Sequence, residues 1–205
     1  VFLVDPRVRK LNAAGEIVEA YASPCVAGLI ARSDNERGFW ASPSNQTING
    51  IVGTSRAIDF SLGDATSSAN LLNAGNVATI VRQNGFRLWG NRSLSADPRW
   101  QFLCVLRTAD VVADSLQAAH LWAVDQGITK NYLVDVAEGV NAFLRDLKTK
   151  GAILGGRCWA DPELTTVHNV TQGRAYWNYD FTPTYPAERV TFRSHLVNDY
   201  ITELF

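Results

Sequence analysis

VATIVRQNGFRLWGNRSLSADPRWQFLCVL, running from Val77 to Leu106, carries the residues on which the fold turns. Val77 to Arg82 is a small, β-branched apolar run with polar residues at its end, which predicts a strand. Asn84-Gly85 follows, the dipeptide that most readily puts both central residues of a hairpin turn at positive φ. Phe86-Arg87-Leu88-Trp89 is therefore predicted to be the return strand of a hairpin. Gly90-Asn91 ends it, Asp97-Pro98 marks another turn, and Phe102 to Leu106 is a continuous apolar run read as a third strand, buried on both faces. Arg87, Arg92 and Arg99 beside Trp89 and Trp100 fit either a cation–π or nucleic-acid platform, or a strand whose alternation turns arginine outward. The second reading is favoured. It predicts that both tryptophans pack the domain and that the arginines make structural or inter-subunit ion pairs.

Working outward, residues 1 to 20 read as a hairpin, with VFLV at its start and a polar turn at Asn12 to Gly15. Ser23-Pro24 predicts a helix start that runs through CVAGLIAR to a stop at Ser33 to Gly38. Residues 38 to 75 alternate short apolar runs with Pro, Ser, Asn and Gly, and predict an irregular segment. A helix capped by Thr108 or Asp110 is predicted to run to about Asp125, with Gly127 as its stop. A longer helix from Asn131 carries Leu133, Val136, Val140, Phe143, Leu144 and Leu147 on one stripe and ends at Lys148, Lys150 and Gly151. Strands are predicted from Ala152 and around Gly173 to Asp180 and Glu188 to Leu196, with helical periodicity after Leu196. The fold class is α/β or α+β, a mixed sheet packed with two long helices.

The 205 residues are 46% hydrophobic, enough for one sizeable core, and the whole chain 1–205 is read as one domain. A formal net charge of −1 offers no electrostatic surplus for nucleic acid or an anionic membrane. No apolar run approaches the ~20 residues of a membrane span. Cys25, Cys104 and Cys158 are odd in number and sit among apolar neighbours, which reads as buried free thiols and a reducing compartment. The sequons at Asn45, Asn91 and Asn169 are discounted on that ground. The absence of methionine, with a strand-like opening at Val1, predicts a processed or trimmed piece of something longer.

The chemistry of a conventional enzyme is hard to find. His120, His168 and His195 are far apart in sequence and lie in no metal-ligand or nucleophile motif. Gly151-Ala152-Ile153-Leu154-Gly155-Gly156 follows a helix and opens a strand, the reverse of the order a phosphate loop needs. Apolar surroundings argue against nucleophilic roles for Cys104 and Cys158. The competing functional readings are a small α/β hydrolase-type enzyme with a site between Asp161, His168 and His195, and a generic binding module with a ligand cleft.

A family resemblance joins these pieces. Gly28 to Ala31, with Arg32-x-Asp34 and then Gly38-Phe39-Trp40-Ala41-Ser42-Pro43-Ser44-Asn45, resembles a signature of the contractile tail sheath proteins of bacteriophages and phage-derived bacteriocins. Asn73-Ala74-Gly75-Asn76-Val77-x-x-Ile80, Trp89-Gly90-Asn91-Arg92-Ser93-Leu94-Ser95 and Asp97-Pro98-x-Trp100 are similar to further blocks of that family. So are Phe143-Leu144-x-x-Leu147, Lys150-Gly151-Ala152-Ile153-x-Gly155 and Pro186-Ala187-Glu188-Arg189-Val190-x-Phe192. The blocks occur in the family's order, cover nearly the whole chain, and are most like its P2-like branch. Ser42, Ser44 and Ser93 depart from the pattern, and the Asn73 block is one residue short.

The resemblance implies a structural protomer that polymerises in stacked hexameric rings around a tail tube, then shortens and widens to drive the tube through the bacterial envelope. It implies partners in further copies of itself, the tail tube protein, and the baseplate and tail terminator proteins. It implies a place in the virion tail after assembly in the bacterial host cytoplasm. It assigns no catalytic, cofactor-binding or metal-ligating residue, no nucleic acid and no membrane insertion. Terminal arms complete a sheet in an adjacent copy, so residues 1–20 and 190–205 are candidate linking-arm or sheet-edge segments. Val1, Phe2, Leu3, Val4, Leu196, Val197, Tyr200, Ile201 and Leu204 are the candidate inter-subunit residues. Arg145, Lys148 and Lys150 are candidates to face the tube, against the plainer reading that they complement a helix end.

Overall fold

The hairpin predicted around Asn84-Gly85 is the centre of the first half of the molecule in the computed structural model, which describes residues 1–204. Strand β5 (Val77–Arg82) pairs antiparallel with β6 (Phe86–Trp89), Ile80 opposite Leu88, across a turn whose Asn84 and Gly85 have φ of 51° and 102°. A short strand β1 (Leu3–Val4) lies parallel on the other side of β5, with Leu3 opposite Val77, giving the order β1-β5-β6. The central β5 is buried along Ala78, Thr79, Ile80 and Val81, as its apolar run requires.

The hairpin predicted for residues 1–20 forms only from Val8 onward. Strand β2 (Val8–Leu11) pairs antiparallel with β3 (Ile17–Ala20), and β4 (Gly53–Thr54) joins the other edge of β2. The first four residues belong to the other sheet. Helix α1 (Ala22–Arg37) packs Ala22, Val26 and Leu29 against Val8, Ile48, Ala78, Ile80 and Leu88 to make a first core. It ends within the predicted stop, at Gly38, where φ is 92°, with Ser33 buried inside the helix. Residues 39–67 are largely irregular, as predicted. Helix α2 (Ser68–Ala74), capped by Ser67, was not legible because it is short and rich in Asn.

The predicted strand at Phe102 to Leu106 is corrected by the structure. Helix α3 (Leu103–Ala119) begins there, with Cys104, Val105, Thr108 and Val112 buried at helical spacing. A short continuous apolar run does not distinguish a buried strand from a buried helix, and here only Phe102 bridges to Arg92. Thr108 is consequently inside the helix, its hydroxyl donating to the Cys104 carbonyl at 2.8 Å, and is not a cap. The helix ends at Ala119, short of Asp125, and a 3₁₀ turn at Leu121–Ala123 follows.

Helix α4 (Lys130–Thr149) matches its predicted stripe: Val136, Val140, Leu144 and Leu147 are buried, Thr129 caps the start through the Tyr132 amide, and Gly151 with φ of 81° follows the end. Strands β7 (Ile153–Ala160) and β8 (Trp177–Pro183) form an antiparallel ribbon on α4, with helix α5 (Val167–Thr171) between them in sequence. Ala152, Ile153 and Cys158 of this ribbon region join Val112 and the α4 stripe in a second core, which also receives Phe39 and Trp40 from the end of α1. The strand predicted over Glu188 to Leu196 is absent; this segment has no regular structure, and a 3₁₀ turn spans Asp199–Leu204. The result is an α+β architecture with small sheets and three long helices, α1 of 16, α3 of 17 and α4 of 20 residues, where two were expected.

Candidate inter-subunit surface

The two cores are tied by pairs that cross the middle of the chain. Arg107 on α3 meets Asp34 on α1 in a two-pronged ion pair, Nη1 donating to Oδ1 at 2.7 Å and Nη2 to Oδ2. Arg92 donates Nε and Nη2 to the Glu188 carboxylate at 3.0 and 2.8 Å. In each pair the carboxylate hydrogen bond is the leading cause that raises the guanidinium pKa. Backbone bonds reinforce the junction, Ser93 N–H to the Gln101 carbonyl at 2.6 Å and Leu103 N–H to the Asn91 carbonyl at 2.9 Å. Asp34, Arg92 and Glu188 stand in the sequence blocks quoted above; their pairing over 73 and 96 positions could not be read from the chain.

The C-terminal segment leaves this junction. The Thr184 hydroxyl donates to the carbonyls of Gly151 and Ala152, and the Tyr185 ring meets Phe102 edge-on with centroids 6.0 Å apart. Among the described residues, Glu188 is the last with a hydrogen bond or ion pair to the body. From Arg189 to Glu203 every residue is exposed, including Phe192 at 91% and Leu196 at 98% of full accessibility. Val190, Phe192 and Leu196 fall at even positions while Arg189, Thr191, Arg193 and His195 fall between them. That is the pattern of a strand with one apolar face and no sheet. Val197, Tyr200 and Ile201 are exposed as well, and the side chain of Leu204 and all of Phe205 lie outside the described residues.

A strand without a sheet faces sheets with open edges. The β7–β8 ribbon has no third strand among the described residues, and its outer edges lack a strand partner. The β7 edge is tied to α4 at Cys158, whose N–H donates to Asn141 Oδ1 at 2.7 Å and whose carbonyl accepts from Asn141 Nδ2 at 3.1 Å. Leu154, Trp159 and Tyr179 are exposed on the ribbon. At the other terminus, Val1 to Val4 is docked on its own domain. Leu3 and Val4 pair with β5, the Val1 carbonyl accepts from Leu94 N–H at 2.9 Å, and Phe2 packs on the first core. The outer edge of β1 has no strand partner among the described residues.

Arg145, Lys148 and Lys150 are exposed at the end of α4. Lys150 pairs with Asp146 at 2.7 Å and Arg145 with Glu138 at 3.7 Å, so their charge is locally balanced, whereas Lys148 has no ion pair among the described residues. Of the arginines around the hairpin, Arg92 has the predicted structural ion pair and Arg99 a local one with Asp97 at 2.7 Å. Arg87 instead donates to the Gln83 and Asn45 carbonyls, each at 2.8 Å. Trp89 packs on Phe60, but Trp100 is exposed, because the 3₁₀ turn Pro98–Trp100 carries it outward.

The residues of the enzyme reading are engaged separately. Asp161 accepts from the amides of Glu163 and Leu164 and from Asn178, and the Leu164 amide leads in holding its carboxyl below the usual range. His168 contacts Gln172, His195 is exposed on the tail, and no hydrogen bond joins any two of the three among the described residues. An open groove of about 620 Å³ between α1, α3 and α4 is lined by Arg37, Trp40, Phe143 and Lys150, and none of the three reaches it. Burial raises the Cys104 and Cys158 thiols, which keeps them protonated and unreactive.

Comparison with known proteins accounts for this arrangement. Residues 3–94 match the family model for the phage tail sheath protein central domain, and residues 95–196 that for the phage tail sheath C-terminal domain. The chain is 49% identical over its full 205 residues to a prophage major tail sheath protein of Pseudomonas aeruginosa, covering 53% of that protein. It is 40% identical over 185 residues, 90% of its length, to the tail sheath protein of Escherichia phage P2, covering 47% of it. The chain thus spans about half the length of the curated relatives it matches. In fold it is similar to the contracted helical sheath of the anti-feeding prophage, with a TM-score of 0.81 at 21% identity over 96% of this chain and 55% of that one. It is also similar to the contracted sheath of the extracellular contractile injection system PVC, with a TM-score of 0.77 at 20% identity over 96% of this chain and 55% of that one. With the central and C-terminal sheath domains in succession over residues 3–196, the chain belongs to the phage tail sheath family.

Proposed function

We propose that the chain is the central and C-terminal part of a contractile tail sheath protomer, a non-enzymatic subunit that polymerises around a tail tube and contracts to drive it through a bacterial envelope. The observation that carries this reading is the tail beyond Glu188, patterned as a strand, exposed throughout, and attached to a member of the sheath family. Ordering a segment costs about 1–2 kcal/mol per residue, and the tail's exposed apolar side chains recover nothing while they face water. Seated as an added strand on a neighbour's open ribbon edge, the same segment gains backbone hydrogen bonds and about 1.5–3 kcal/mol for each large apolar side chain fully buried. Such a joint suits a contracting polymer, because it can hinge at the root while its strand pairing persists.

The baseplate, the tube protein and the tail terminator are the further partners, and the protein belongs in the tail after assembly in the host cytoplasm. Likeness in fold to subunits of the anti-feeding prophage baseplate and helical sheath supports the polymer and the baseplate contact. For the tube, the candidates remain Arg145, Lys148 and Lys150, of which Lys148 alone has no ion pair among the described residues. Electron microscopy of the full-length protein tests the main reading: long hollow tubules are expected, and a monomer at every concentration contradicts it. Charge reversal at Lys148 tests the tube contact, which is wrong if tube-templated assembly is unchanged.

A further inference from the structure

Arg92 makes more contacts at the tail root than an isolated surface ion pair needs. Besides holding Glu188, it donates Nη1 to Gln101 Oε1 at 3.2 Å, and its guanidinium lies 5.1 Å from the centroid of the Phe102 ring. Phe102 in turn carries Tyr185, so both sides of Pro186-Ala187 are fixed to one spot on the body. Beyond it, the hydrogen bonds of the tail among the described residues are internal, such as Ile201 N–H to the Asn198 carbonyl at 3.0 Å. Glu188 is therefore the last point at which the body can aim the tail.

Aim matters because of lever length. Ten extended residues span about 33 Å, so a swing of about 10° at the root moves the tip by roughly one inter-strand spacing of about 4.8 Å. A slip of a single residue along a strand turns its apolar set to the opposite face. Val190, Phe192 and Leu196 would then meet water instead of the neighbour.

We propose that Arg92 is a positioning residue which, through Glu188 and the Phe102–Tyr185 pair, fixes the direction in which residues 189–204 leave the domain and so selects the neighbouring copy and the register they reach. The inference rests on reading the tail as an inter-subunit strand. Arg92 and Glu188 retain 39% and 36% of their side-chain exposure, so the pair has a small share in folding stability and its loss leaves the domain intact.

The test is a distance distribution between spin labels at Ala118 on α3 and Ser194 on the tail, both exposed, in the full-length, unassembled protein with Cys25 replaced by serine. The parent protein is expected to give a narrow distribution, Arg92→Ala to lose it, and the swap Arg92→Glu with Glu188→Arg to restore it, with all variants melting cooperatively. A distribution as narrow in Arg92→Ala as in the parent, or already broad in the parent, overturns the inference. The measurement decides this whether or not tubules form, and failure of the unlabelled protein to assemble counts against the sheath reading alone. Where tubules form, Arg92→Ala is expected to lose their regular helical order.

Discussion

Replacing Asp34 by alanine is expected to destabilise the folded chain by about 2 kcal/mol, and the reasoning is open to a double-mutant cycle with Arg107. Breaking a buried ion pair costs about 3–5 kcal/mol and breaking an exposed one about 0–1. The Asp34 and Arg107 side chains keep 26% and 27% exposure, which places the pair between those limits. The two-pronged geometry raises the value, since both guanidinium nitrogens lose their acceptors at once. For a chain of this size, about 2 kcal/mol corresponds to a fall in Tm of roughly 4–8 °C. Asp34→Ala, Arg107→Ala and the double variant would be compared by chemical denaturation. Removing Asp34 alone strands a half-buried guanidinium, so the double variant should be less damaged than the sum, with a coupling of about 1–2 kcal/mol. Additivity to within about 0.3 kcal/mol would refute the claim that this pair ties α1 to α3.

Two further perturbations read other parts of the molecule. A Cβ at Gly156 would lie 2.6 Å from the Asp180 carbonyl oxygen and 2.9 Å from Phe181 Cβ, whereas one at Gly155 would meet nothing within 4 Å. Gly156→Ala is therefore expected to cost about 1–3 kcal/mol by overpacking the ribbon, and Gly155→Ala to stay within about 0.5 kcal/mol in the same denaturation assay. Asp161, whose carboxyl is held below its ordinary value of 3.8 by the Leu164 amide and Asn178, stabilises the loop into α5 fully above that value and loses this contribution as pH falls through its lower folded value. Amide exchange at Glu163 and Leu164 should accelerate only on that acid side; a carboxyl titrating at or above 3.8 by NMR contradicts the assignment.

How much of this was legible depended on the range of the signal. The Asn84-Gly85 turn, the α4 stripe and the Gly38 and Gly151 stops are local, and each formed within a residue or two of its expected place. Phe102 to Leu106 failed for the opposite reason: five apolar residues satisfy a strand and a helix equally, and the choice is made by Val112 and the core that α3 joins. Val1 to Val4 looked like the start of a hairpin because pairing with β5, more than seventy positions away, leaves no mark on local sequence. The ion pairs Asp34–Arg107 and Arg92–Glu188 were likewise invisible as pairs, although three of their four residues stood in the blocks that carried the family resemblance. The tail's apolar, terminal character was readable; that it runs exposed from Arg189 needed the structure.

The central claim is that residues 189–204 join one copy to the next. The most direct test is electron microscopy of the full-length protein beside a version that ends at Glu188 and so keeps the Arg92 pair and both cores. The account predicts hollow tubules from the full-length protein and only dispersed, folded subunits from the truncated one. Tubules of the same diameter and helical order from the protein ending at Glu188 would contradict it.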